Sequence, residues 1–212
     1  MHGAQVVGVT ISAAQAELAR DRVARAGLEG LVEIRLQDYR EVADGPYDAV
    51  ASVGMAEHVG REQLPGYATR LHGLLRPGGR LLNHTIARGP AAEPDRPDPR
   101  SFLSRYVFPD GELQPLATHV AVLEQAGFED RGVEALREHY ALTCRAWVGN
   151  LERSWDDAVR ASSPGRARVW RLYLAGSALA FEQRRVGVNQ VLAVKAGDAA
   201  GTRHDGARPR AL

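Results

Sequence analysis

The sequence predicts an α/β protein wound around a mostly parallel sheet with helices on both faces. Three observations carry that prediction: short β-branched runs alternate with stretches of helical spacing, Gly, Pro and Asp punctuate the joints, and each helical stretch leads back into a strand.

Gln5 to Thr10 is almost continuously apolar between Gly3 and Ser12, the pattern of a strand covered on both faces. Ser12 and Gln15 stand in capping-box spacing at the head of an amphipathic helix that Gly27 ends. Val32 to Gln37 alternates as a second strand, and Tyr47 to Val53 follows the Asp44-Gly45-Pro46 turn as a third. Leu64, Tyr67, Ala68, Leu71, Leu74 and Leu75 recur at helical spacing until Pro77-Gly78-Gly79 closes that helix before a fourth strand, Arg80 to Ile86. Four prolines within residues 90–99 forbid a regular helix or ladder, so residues 87–101 read as a loop. Beyond it, Thr118 to Gln125 reads as a helix, Gly127 to Leu136 as strand-like, Tyr140 to Arg160 and Arg166 to Arg185 as longer helical stretches, and Asn189 to Lys195 as a closing strand. Residues 197–212 are poor in apolar residues and lack periodicity, and read as a disordered tail.

At 212 residues and 44% apolar, the chain suits a single domain over residues 1–196. Lys plus Arg (27) nearly balances Asp plus Glu (26), so no global field recruits nucleic acid, and any membrane contact must be local. The lone Cys144 excludes an internal disulfide framework and a Cys-cluster metal site, and no metal is expected. No apolar run approaches the roughly 20 residues of a membrane span, and the expected location is cytoplasmic, at most peripheral to the inner face of the membrane.

The segments "VVGVTIS", "LQDYR", "YDAVASVGMAEHVG", "LLRPGGRLLNHTI", "YVFPDGEL" and "HYALTCRAW" stand in order along the chain. In this order they resemble the cyclopropane-fatty-acyl-phospholipid synthases and the mycolic acid cyclopropane synthases, which are class I S-adenosylmethionine-dependent methyltransferases. The resemblance covers residues 5 to about 195. It implies a Rossmann-like class I methyltransferase sheet with its last strand antiparallel, and a lipid-binding insertion around residues 87–185. In that family a first strand and a glycine-rich turn precede the segment that matches "VVGVTIS", and residues 1–4 leave no room for them. A βαβ unit takes about 30 residues or more, so the expectation is a sheet lacking its first strand and glycine-rich turn. A start codon placed too far downstream and a gene fragment are the two accounts, and weak or absent activity follows if the chain is this short.

The implied reaction is methyl transfer to the double bond of an unsaturated fatty acyl chain of a phospholipid, giving a cyclopropane or methyl-branched product. An alkene that attacks a sulfonium methyl leaves positive charge on carbon, and a proton must then depart. The resemblance implies a bound bicarbonate as the base, held by Glu57, His84, the backbone at Ile86 and Tyr140. A solvated loop carboxylate, a core histidine and a packing tyrosine are the ordinary alternatives for Glu57, His84 and Tyr140. His58 reads as a supporting residue and Cys144 as core. The implied S-adenosylmethionine contacts are Thr10 and Gln15 at the end of the first predicted strand, Asp38 and Tyr39 at the adenine edge, and Val53 and Gly54 beneath the sulfonium. Gln15 also serves the capping box, and Asp38 has a turn cap as its alternative. Ala56 stands where the family commonly has Phe, which loosens the implied pocket. Trp155, Trp170, Tyr173 and Phe181 either shape an acyl tunnel or a membrane-facing surface, or pack a core. A methyltransferase acting on small amines, and a non-catalytic remnant or a subunit completed by another chain, are the other readings, and a homo-oligomer is among the expected partners.

Overall fold

The computed structural model describes residues 3–90, 92, 100–109 and 111–197. Its chain packs as two units, Met1–Gly45 and Pro46–Leu212. The predicted tail beyond Gly197 and most of the proline-rich loop lie outside the described residues.

The first unit is one βαβ turn. Strand β1 (Val6–Thr10) runs parallel to β2 (Val32–Leu36), from Val6 opposite Val32 to Thr10 opposite Leu36. Helix α1 (Ala13–Arg25) joins them, with Ser12 at its N-cap, Arg22 and Arg25 in its last turn where cations suit the helix dipole, and Gly27 at φ +63° after it. The predicted capping box forms by half. The Ser12 hydroxyl accepts the Gln15 N–H at 3.4 Å, but the Gln15 side chain turns to the Thr10 hydroxyl, and Thr10 Oγ1 itself accepts the Ser12 N–H at 3.1 Å. The predicted covering of β1 on both faces is not met within this unit, where Val6 is 47% exposed: a two-stranded sheet under a single helix has one face to bury.

The second unit holds a four-stranded sheet. Strand β3 (Tyr47–Val53) leads through two short 3-10 turns to helix α2 (Leu64–Leu74) and then β4 (Leu75–Arg88). Helices α3 (Phe102–Tyr106) and α4 (Leu116–Gln125) precede β5 (Phe128–Ala135). Helices α5 (Arg137–Arg153), α6 (Trp155–Ala161) and α7 (Pro164–Glu182) precede β6 (Val186–Lys195). The sheet order is β3-β4-β6-β5, with β3 parallel to β4 and β6 antiparallel to both β4 and β5. The stretch predicted as one helix over 140–160 is two, because the chain leaves helical geometry at Ser154 (φ −112°, ψ 35°). Strand β4 also runs through the Pro77-Gly78-Gly79 break that the sequence reads as its start, with Gly78 at φ +75° taking the left-handed conformation that its missing Cβ permits.

Leu71, Leu81, Leu123, Phe128 and Val191 are buried in this unit's core, while Ala141, Cys144, Ala178, Phe181 and Val188 form a cluster joined by Ile86, Leu136, Tyr140 and Val186. At the far end of β4, Gly89 leaves no room for a side chain: a Cβ there would stand 2.1 Å from the Arg184 carbonyl oxygen.

His119, on α4, is 2% exposed and its Nε2 has no hydrogen-bond partner among the described residues. Burial holds its imidazole down to about 4, against 6.5 for the free group. Protonation therefore favours the unfolded chain. The neutral-form stability is complete above pH 6.5 and declines as pH falls toward 4, by about 3 kcal/mol at a rate of about 1.4 kcal/mol per pH unit. Asp130, raised by burial and then by the Glu124 charge, works in the opposite sense, so the comparison of wild type with His119→Leu isolates the histidine. Urea unfolding measured from pH 7 to pH 4 is expected to show a steeper loss in wild type than in H119L. Parallel pH profiles would contradict this account.

Candidate active site

Along β4, successive side chains leave the sheet on opposite faces. Asn83 and Thr85 therefore point one way, His84 and Ile86 the other. On the Asn83 face, the buried Tyr67 hydroxyl of α2 lies 2.8 Å from Asn83 Oδ1 and 2.8 Å from Ser52 Oγ. Because Asn83 Oδ1 can only accept, the phenol donates to it and accepts from Ser52. This ties the ends of β3 and β4 together, just before Val53 and His84, which pair across the two strands.

Glu57 sits in the 3-10 turn after β3, 6% exposed. Its Oε2 accepts the Thr85 hydroxyl at 2.8 Å, and its backbone carbonyl accepts the Glu112 N–H at 2.9 Å. Glu112 in turn accepts from the Arg61 N–H and from the Gln114 amide, each at 2.8 Å, so residues 111–114 are strapped to the loop that carries Glu57. Ala56 beside it is buried at 2% exposure. Gly54 (φ +64°) gives its N–H to the His84 carbonyl at 2.9 Å, while the Val53 side chain stands exposed.

On the opposite face of β4, His84 Nε2 lies 2.8 Å from the Tyr140 hydroxyl of α5, and His84 Nδ1 lies 3.1 Å from Gln190 Nε2. Ile86, one pleat further along, packs into the apolar cluster of Ala141, Cys144 and Phe181. Burial raises the Tyr140 phenol above its ordinary value, and the Glu57 charge raises it further. Burial likewise pushes the Cys144 thiol up, as suits a core thiol. The structure thus joins His84 to Tyr140 directly and sets the Glu57 carboxylate on Thr85, whose side chain leaves the other face of β4, near enough for its charge to act on the Tyr140 phenol.

The aromatic residues divide. Phe181 is core and meets Tyr140 in a tilted ring contact, with centroids 5.7 Å apart. His58, Phe108, Tyr173 and Trp170 instead form a run of ring contacts at 5.4, 5.6 and 5.4 Å. Burial, more than any charge nearby, raises the Tyr173 phenol.

In the first unit, Thr10 gives its hydroxyl proton to Gln15 Oε1 at 2.8 Å. Asp38 caps the turn Tyr39–Glu41 through the Arg40 N–H at 2.9 Å and pairs with the Arg40 guanidinium, which holds its carboxyl down at about 2. Burial raises the Tyr39 phenol.

Sequence reasoning passed over Thr85, Gln190 and the Tyr67–Asn83–Ser52 network. For Asn83, Thr85 and Gln190 the signal was a polar side chain within a stretch read as a strand, "RLLNHTI" or "NQVLAVK", and only a fold says which of them meet.

The chain matches the model of the mycolic acid cyclopropane synthetase family over residues 1–191. It is 43% identical over 199 residues to a probable fatty acid methyltransferase of Mycobacterium tuberculosis, covering 91% of this chain and 45% of that protein. It is 43% identical over 196 residues to a probable fatty acid methyltransferase of Pseudomonas putida, covering 92% and 50%. It therefore spans about half the length of these relatives. Among solved structures it is similar to the mycolic acid cyclopropane synthase CmaA1 complexed with S-adenosylhomocysteine and CTAB, with a TM-score of 0.80 at 29% identity, covering 90% of this chain and 70% of that one.

Tyr67→Phe removes the proton that Asn83 Oδ1 accepts and leaves a buried acceptor unpaired, at a cost of about 1–3 kcal/mol. Chemical denaturation is expected to show that loss. An unchanged midpoint would mean that the network does not hold β3 to β4.

Proposed function

The chain belongs to the mycolic acid cyclopropane synthetase family and has the class I methyltransferase fold, and from that premise we propose that it transfers a methyl group from S-adenosylmethionine to the double bond of an unsaturated fatty acyl chain. The observation that carries the reading is the His84–Tyr140 hydrogen bond at the edge of an apolar cluster, with the Glu57 carboxylate at the same strand end.

The donor set suits the two groups that the reading requires. S-adenosylmethionine supplies an electrophilic methyl on a cationic sulfur, and its ribose hydroxyls and adenine amine match the hydroxyl, amide and carboxylate of Thr10, Gln15 and Asp38, with Tyr39 offering a ring to the base. In the second unit by itself, Gly54, lacking a side chain at positive φ, leaves open backbone beside Val53. Bicarbonate, when bound, supplies a base for the departing proton. Its charge calls for donors and its own hydroxyl calls for one acceptor. Tyr140 and the Ile86 backbone are the donors, His84 orients the phenol, and Glu57 is the acceptor. Held on two sides of β4 by Thr85 and by the ring contacts of Tyr140, these groups are oriented before charge develops, which is where electrostatic preorganisation lowers a barrier. Ile86, Ala141, Cys144 and Phe181 keep water from the surroundings, and this protects a carbocation from hydration. The Tyr140 proton, raised by burial, stays on the phenol through the neutral range, so the residue acts as a donor rather than as an anion.

The test is incubation of the chain with S-adenosylmethionine and vesicles of an unsaturated phospholipid, followed by mass spectrometry of the acyl chains. Acyl chains heavier by one methylene are expected, and Glu57→Gln and Tyr140→Phe are each expected to lower the rate roughly a hundredfold. Methylation of a small amine with no change in the acyl chains would overturn the reading, as would variants that match wild type.

A further inference from the structure

We infer that Gln190 is a positioning residue that fixes the tautomer of His84 and thereby the direction in which Tyr140 gives its proton. This rests on the proposed anion site. His84 and Gln190 are direct cross-strand partners on β4 and β6, so the two side chains leave the same face of the sheet side by side. The Gln190 amide nitrogen lies 3.1 Å from His84 Nδ1, and Tyr140 Oη lies 2.8 Å from His84 Nε2. Both imidazole nitrogens are thereby occupied, and His84 is only 9% exposed, so water does not compete freely for either.

An amide N–H can only donate. Nδ1 opposite it must then carry a lone pair, and the single proton of the neutral imidazole stands on Nε2. Nε2–H donates to Tyr140 Oη, which leaves the phenolic proton free to point away from His84. The polarity runs in one sense, from Gln190 to His84 to Tyr140 and outward. Reversal would consume the phenolic proton in a bond to Nε2 and turn the oxygen lone pairs of Tyr140 toward the anion, converting an attraction into a repulsion. Hydrogen bonds in series also polarise one another, so the donor strength of Tyr140 depends on a residue that touches neither substrate nor anion.

The apolar neighbours of Gln190 on β6 sharpen the point. Val188, Val191 and Ala193 are fully buried, and a glutamine among them is a polar group that must find partners to be tolerated.

Nitrogen NMR of the full chain with labelled histidine reads the tautomer directly, whether or not the chain is active. Wild type is expected to show His84 Nδ1 as an unprotonated, pyridine-type nitrogen. Gln190→Glu, of the same shape but accepting only, is expected to move the proton to Nδ1 and to lower kcat roughly tenfold to a hundredfold with KM unchanged for S-adenosylmethionine and lipid. Gln190→Met, which removes the donor without adding an acceptor, is expected to give a mixture of tautomers and an intermediate kcat. A protonated Nδ1 in wild type would overturn the inference, as would an unaltered tautomer in Q190E or an altered tautomer with unaltered kcat. If wild type shows the expected tautomer but modifies no acyl chain, the failure lies with the proposed reaction and not with the role of Gln190 on His84.

Discussion

The candidate site depends on the two-residue period of one strand. Along β4 the side chains of Asn83, His84, Thr85 and Ile86 leave the sheet alternately, so four consecutive residues serve two environments. One face is anchored by Tyr67 and carries Glu57 on Thr85, and the other holds His84 against Tyr140. A slip of one residue in register would exchange the faces and leave every one of these polar groups buried without a partner. That register is set from both sides, by the parallel β3 and by the antiparallel β6.

Burial makes those hydrogen bonds count. Thr85 and Asn83 are almost completely enclosed and Glu57 nearly so, and in such surroundings a lost partner costs more than a made bond yields. The same enclosure raises the Tyr140 phenol and keeps it protonated, while Cys144, one helical turn away in the same cluster, is raised by burial without gaining a polar role. One apolar cluster thus gives two residues opposite fates, and the difference is which side chain faces them: Tyr140 meets an imidazole, and Cys144 meets apolar carbon.

The groups proposed for S-adenosylmethionine in the first unit are held more locally. Thr10, Ser12 and Gln15 satisfy one another at the joint of β1 and α1, and Asp38 closes its own turn through Arg40. Such bonds form between near neighbours in the chain and cost little ordering entropy. Glu57 and Thr85, or His84 and Gln190, are 28 and 106 residues apart, and only a completed sheet brings them to bonding distance.

That difference in range separates what the amino-acid sequence determined from what the folded chain decided. Strand and helix periodicity, the Ser12 cap and the loop glycines are local, and the α/β class followed from them, with boundaries close to those observed for β1, β2, β3 and α2. Motif order carried the family, and the resemblance set Glu57, His84, the Ile86 backbone and Tyr140 around one anion; of these, the fold puts His84 and Tyr140 2.8 Å apart. The Thr85 bond to Glu57 and the Gln190 contact with His84 were decided by tertiary structure alone. Each depends on which of several equally good partners lies nearest after packing, and sequence spacing carries no such distance when the partners stand on different strands and helices.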